Sequence, residues 1–116
     1  MKPYEFEQLV CDHYRQKGYR VQTTSASNDY GIDVFAEKKG EKIAVQVKMY
    51  GGSTRKVNRQ TMMELYGAAA YFDCTKAVLA TDGEVLTDAK EVAHKLGIDI
   101  LFIQPDRKIS MPSASP

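Results

Sequence analysis

Gly31-Ile32-Asp33-Val34-Phe35-Ala36-Glu37, then Lys38-Lys39-Gly40-Glu41, then Lys42-Ile43-Ala44-Val45-Gln46-Val47-Lys48: two β-rich runs flank a lysine–glycine turn. This pattern reads as an antiparallel hairpin. With Lys39-Gly40 as the loop, Lys38 faces Glu41, and counting back sets Asp33 opposite Gln46. Side chains alternate between faces, so Asp33, Phe35, Ala44, Gln46 and Lys48 share one face. Ile32, Val34, Ala36, Ile43, Val45 and Val47 make an apolar set on the other, which belongs in a core. The first face is the anomaly: it mixes a carboxylate, an amide and an ammonium with Phe35 and Ala44. Cross-strand Cβ atoms lie about 4.5–5.5 Å apart, so Asp33, Gln46 and Lys48 can converge on one point. Either the face is solvated and Asp33 and Lys48 form an incidental pair, or it is covered and its charges need partners or a metal.

Asp33 and Gln46-Val47-Lys48, with Phe6-Glu7 upstream and Asp29-Tyr30-Gly31-Ile32-Asp33 leading in, resemble the catalytic domain of Mrr-type restriction endonucleases. These belong to the PD-(D/E)xK nuclease superfamily, in the branch where glutamine replaces the second acid in a Gln-x-Lys motif. The resemblance covers residues 4–103, with helix, hairpin and later strand–helix–strand elements in the family order. It implies a restriction-endonuclease-like three-layer α/β/α sandwich with a mixed sheet, order αβββαβαβ.

The chain has 116 residues, 43% hydrophobic and 27% charged, the profile of one ordinary globular domain. No apolar run reaches the ~18 residues of a membrane helix, and the N-terminus lacks a signal-peptide pattern. Cys11 and Cys74 lack zinc-finger spacing and read as buried thiols, which suits a reducing, cytoplasmic location. A net charge of +1 does not announce a nucleic-acid partner. Its distribution is more informative. Lys38, Lys39, Lys42, Lys48, Arg55, Lys56 and Arg59 cluster between Glu37 and Arg59 against Glu37 and Glu41 alone. Lys38, Lys39, Arg55, Lys56 and Arg59 are therefore candidate DNA-backbone contacts, although a solvated charge run has the same composition.

Residues 3–18 read as a first helix, with Pro3 early, Glu5 and Glu7 at its positive end and Gly18 as its stop. Phe6, Leu9, Val10 and His13 should pack on the sheet. Glu7, at the edge of that stripe, either pairs with the helix dipole or reaches the hairpin's polar face. Tyr19–Thr24 is a strand, and 25–30 a polar turn in which Asp29 is a turn residue or an acid behind Asp33. Gly31 lets the backbone pass close to something bulky. Residues 49–56 should form a flexible loop facing DNA. A second helix runs from 57 or 58 to about 72, packing through Met62, Met63, Tyr66, Ala69, Ala70 and Phe72. Lys76–Ala80 is a buried strand, Thr87 caps a third helix to Leu96, and Ile98–Ile103 is the last strand. The chain thus divides into a single domain, 1–104, and a flexible tail, 105–116.

Hydrolysing a phosphodiester needs a hard cation, an activated water and a held phosphate. Mg²⁺, with Mn²⁺ as substitute, takes oxygen ligands and keeps several waters. Asp33 is the principal candidate ligand. Gln46 offers a neutral amide oxygen, and Glu7 a further carboxylate, direct or through water. The resemblance adds the backbone carbonyl of Val47, places Glu7 near the metal, and makes Asp33, Gln46, Lys48 and Glu7 the catalytic set. Lys48 would hold the attacking water and stabilise the transition state. The expected function is a metal-dependent DNA endonuclease of Mrr-like restriction type. The alternatives are a Holliday-junction resolvase and a DNA-binding module that keeps the fold with weak catalysis. Cutting both strands calls for a homodimer, with the Ala-rich second helix as one possible interface. A separate DNA-recognition protein is a further candidate partner.

Overall fold

A computed structural model describes residues 1–24, 30–104 and 106–111. The hairpin forms as the turn predicts. Strand β2 (Val34–Lys38) and strand β3 (Glu41–Lys48) pair antiparallel from Lys38–Glu41 to Val34–Val45. Strand β1 (Arg20–Thr23) adds antiparallel to β2. Helix α1 (Pro3–Gln16) precedes it. Helix α2 (Arg59–Tyr71) then carries the chain across to strand β4 (Lys76–Thr81), and helix α3 (Thr87–Leu96) to strand β5 (Asp99–Ile103). Both returns are parallel, giving one mixed sheet in sequence order. Asn58 caps α2, its side chain accepting the Thr61 N–H at 3.0 Å, and Gly97 ends α3 in the left-handed conformation.

Side-chain alternation sorts the sheet into two cores. On one face, Phe6, Val10, Cys11 and Tyr14 of α1 pack on Val34, Ala36, Ile43, Val45, Val78, Ala80 and Leu101. On the other, Met62, Leu65, Ala68 and Ala69 of α2, with Ala89 and Ala93 of α3, cover Ala44, Ala77 and Leu79. The molecule is thus the expected α/β/α sandwich. Phe6 is 1% exposed, and burying such a side chain contributes about 1.5–3 kcal/mol, which anchors α1 and its neighbour Glu7 against the sheet.

Several expectations change. Ile32 joins the α2/α3 core and not the Val34 set, because Tyr30 (φ 51°) and Gly31 (φ 86°) turn the chain just before it and break the alternation. Met63 and Tyr66 are 54% and 49% exposed. α2 offers two apolar stripes about 100° apart, and the sheet takes the one through Met62, Leu65 and Ala69. Thr87 is already helical and does not cap α3 with its side chain. The start of α3 is held by backbone instead: Leu86 N–H donates to Val57 C=O (3.0 Å) and Val57 N–H to Glu84 C=O (2.9 Å). That bridge anchors Val57, at the end of the 49–56 loop. Within the expected tail, Ile109–Ser110 forms strand β6, antiparallel on β5. Asp29 lies outside the described residues.

Candidate active site

Asp33 stands immediately before β2, where the ladder changes. Its N–H donates to Val45 C=O (2.9 Å) rather than pairing with Gln46, and its C=O accepts from Thr24 N–H (3.1 Å). Its carboxylate Oδ2 accepts the Val47 N–H at 2.7 Å. The direct Asp33–Gln46 pairing read from the turn is therefore replaced by a tighter arrangement. Asp33 grips the residues on both sides of Gln46, because the turn at Tyr30–Gly31 draws the backbone out of strict register.

Gln46 is 8% exposed, and among the described residues its Oε1 is buried with no hydrogen-bond partner. Leaving such an acceptor unmet costs about 1–3 kcal/mol. The position of the side chain depends on Gly31. A Cβ there would meet Gln46 Nε2 at 2.9 Å, and φ is +86°. Any other residue would be strained and would displace the amide.

Glu7 approaches from α1. Burial first, and then the negative charge of Asp33, push its carboxyl above the usual range. Among the described residues no group of three His, Cys, Asp or Glu side chains is placed to hold a metal. The residues expected as ligands offer the carboxylates of Asp33 and Glu7, which sense each other's charge, and the amide oxygen of Gln46, donor types that would suit a hard cation accepting few protein ligands. The raised carboxyl also has a consequence for stability. The folded state holds the Glu7 proton more tightly than the unfolded chain does. Stability is therefore fully present below the ordinary carboxylate pKa and declines as pH rises through the raised one. In EDTA, Glu7→Gln should raise Tm at pH 7, and the gain should vanish at acid pH. A Tm difference independent of pH would contradict the coupling.

Lys48 extends from the same strand toward Tyr50, its Nζ lying 5.8 Å from the ring centroid, while the Arg55 guanidinium stacks on that ring at 4.5 Å. Lys48, Tyr50, Arg55, Lys56, Asn58 and Glu64 are among the residues lining a hollow of about 390 Å³. The backbone below is fixed by buried Thr81, whose Oγ1 donates to Lys48 C=O (2.7 Å) and accepts Gly83 N–H (3.0 Å). Asp82 accepts the Gly51 N–H at 2.7 Å. Sequence reading missed Tyr50, Glu64, Thr81 and Asp82, because their roles arise only once β4 lies beside β3.

The candidate DNA contacts divide. Arg55 and Lys56 flank Lys48, and Lys56 pairs with Glu84 at 3.7 Å. Arg59 opens α2 and pairs with Asp88 at 3.2 Å. Both are exposed pairs of little energetic weight, easily exchanged for phosphate. Lys38 and Lys39 sit at the opposite end of the hairpin, about 20 Å away along the strand. There Lys38 donates to Lys17 C=O at 2.7 Å and covers the Tyr19 ring. His13 is half-buried on α1, edge-on to Tyr14, its pKa lowered by burial and then by Lys17; it joins neither core and is a helix-face histidine.

A family model described as a restriction endonuclease catalytic domain matches residues 1–108. An uncharacterized protein, y4cE, of Sinorhizobium fredii is 34% identical over 98 residues, covering 75% of this chain. The chain spans about a quarter (25%) of that relative's length. A crystal structure of a protein of unknown function, AF1548, superposes with TM-score 0.66 at 21% identity, covering 82% of this chain and 56% of the other. Hjc of Archaeoglobus fulgidus, a Holliday junction resolvase, superposes with TM-score 0.55 at 14% identity, covering 90% and 73%. The two structural likenesses are of fold alone, and no helix of the described residues is long and apolar enough to cross a membrane. With the family match running from α1 through the last strands, and the Asp33, Gln46 and Lys48 hairpin at its centre, the chain belongs to the Mrr-type restriction endonuclease family.

Proposed function

We propose that this chain is a metal-dependent DNA endonuclease domain of the Mrr-like type. The observation that supports this best is the buried Oε1 of Gln46, without a hydrogen-bond partner among the described residues, on the strand stretch that Asp33 grips through Val45 and Val47. A buried acceptor oxygen with no protein donor suits something electropositive. Asp33, Gln46 Oε1, the Val47 carbonyl and Glu7 would hold Mg²⁺, or Mn²⁺ in its place. When bound, the ion supplies charge neutralisation at the scissile phosphate. Lys48, an ammonium that can only donate, would orient the attacking water and stabilise the phosphorane-like charge. Tyr50 and the Thr81 hydrogen bond keep its strand end in place. Arg55, Lys56 and Arg59 would take flanking phosphates. Lys38 and Lys39 would be reached only by DNA running along the hairpin.

The fold likeness to Hjc makes junction cleavage the competing reading. Incubating supercoiled, linear and four-way-junction DNA with Mg²⁺ separates the two. Nicking or linearising of plasmid, lost in EDTA, is expected. Cutting of junctions alone would select the resolvase reading, and DNA binding without cleavage would leave a binding module. Cleaving both strands further suggests a homodimer, which light scattering at micromolar concentration should detect. A monomer that only nicks would contradict it. A separate DNA-recognition protein would supply sequence preference.

A further inference from the structure

A second hollow, of about 540 Å³, opens beside Gln46 and is lined by Tyr30, Gly31, Gln46, Glu64, Gly67 and Tyr71 among others. Its size falls within the roughly 300–1,000 Å³ of small-molecule sites. Tyr30 and Tyr71 are 66% and 67% exposed, and both belong to a chain of ring contacts. Their rings meet at 5.1 Å, Tyr71 meets Phe72 at 5.0 Å, and Phe72 meets Phe35 in the core at 5.3 Å, all edge-on. Aromatic rings so braced offer prepared flat surfaces to an outside ligand. Gly67 lies inside α2, where glycine disfavours a helix, and a Cβ there would meet nothing within 4 Å. Packing does not require the glycine, and its bare backbone leaves that wall of the hollow open.

Resting on the DNA-nuclease reading, we infer that this hollow takes an unpaired nucleobase next to the cleavage position. Every base has a π-face that stacks on tyrosine, and in continuous duplex those faces are covered by neighbouring bases. The Glu64 carboxylate accepts only. It therefore matches the amino-bearing edges of guanine, cytosine or adenine, which in duplex are taken by the partner base. Thymine, whose one N–H lies between two carbonyl oxygens, fits it least. The hollow thus favours DNA with a bulged, flapped or extruded nucleotide over an otherwise identical fully paired duplex or junction.

The test uses the whole chain with 2-aminopurine as the probe base, bulged in a duplex, with Ca²⁺ in place of Mg²⁺ to suppress turnover. Wild type should bind the bulged duplex about five- to tenfold more tightly than the paired one and quench the probe by stacking. Tyr71→Ala should lose the preference and the quenching while binding paired duplex within twofold. Gly67→Leu fills the hollow while favouring the helix, so it should do the same with Tm unchanged or raised. Glu64→Gln should narrow the difference between bulged guanine and bulged thymine. Equal binding of bulged and paired DNA by wild type, or quenching that survives both Tyr71→Ala and Gly67→Leu, would overturn the base site alone. Failure to bind any DNA would overturn the nuclease reading as well.

Discussion

Asp33→Asn is expected to lose Mg²⁺-dependent cleavage by about 10³-fold, with Tm within a few degrees of wild type. Metal-assisted charge stabilisation supplies several kcal/mol to a phosphodiester transition state, and each 1.36 kcal/mol is about tenfold in rate. Asparagine removes the charge but keeps an oxygen for the Val47 N–H, which the Asp33 carboxylate accepts at 2.7 Å. Asp33→Ala should lose as much activity and also some stability, since the Val47 N–H is then left unmet at a cost of about 1–3 kcal/mol. Removing a charge that presses on Glu7 offsets part of that loss. Plasmid cleavage and thermal melts on the two variants check both statements. Wild-type activity in Asp33→Asn would remove Asp33 from the site.

The second large effect contrasts Lys48 with Gln46. Lys48→Ala should cut cleavage by about 10²–10³-fold, the usual consequence of deleting one donor aimed at developing charge. It should leave metal affinity equal or tighter, because a neighbouring cation is gone. Gln46→Glu should act the other way. A carboxylate about 4 Å from a cation gains about 4 kcal/mol per unit charge at an effective dielectric near 20, before desolvation and repulsion from Asp33 and Glu7 subtract much of it. Metal binding without DNA should therefore tighten in calorimetry. Turnover need not rise, since rate depends on what the transition state gains over the ground state. If Gln46→Glu leaves affinity unchanged while Lys48→Ala cuts normally, both residues are structural.

The hairpin was legible because its turn and its alternation are local, and a one-residue slip would have taken Val34, Ala36 and Val45, all fully buried, off the face that α1 covers. What the alternation could not show was the departure at Asp33. That depends on two successive positive-φ residues, Tyr30 and Gly31, and only the glycine announces itself in a sequence. The same holds for α2. Met62 and Met63 are equally apolar, so the buried stripe is chosen by the sheet and by α3, not by periodicity. Lys48 was found by its alternation with Gln46 along one strand, whereas Thr81 and Glu64 arrive from elements more than a dozen residues away. The basic run from Lys38 to Arg59 looked like one patch only because a hairpin folds distant ends of sequence apart. Ile109 and Ser110 looked like tail because two residues carry too little pattern to signal an edge strand.

Gln46 Oε1 is expected to be a metal ligand and not a buried amide waiting for water. Crystals grown with Mn²⁺ and examined by anomalous diffraction address this directly. The prediction is a peak within roughly 2.0–2.2 Å of both a carboxylate oxygen of Asp33 and Oε1 of Gln46, absent in Asp33→Asn. No peak there, with Gln46 Oε1 hydrogen-bonded to protein or water instead, would contradict it.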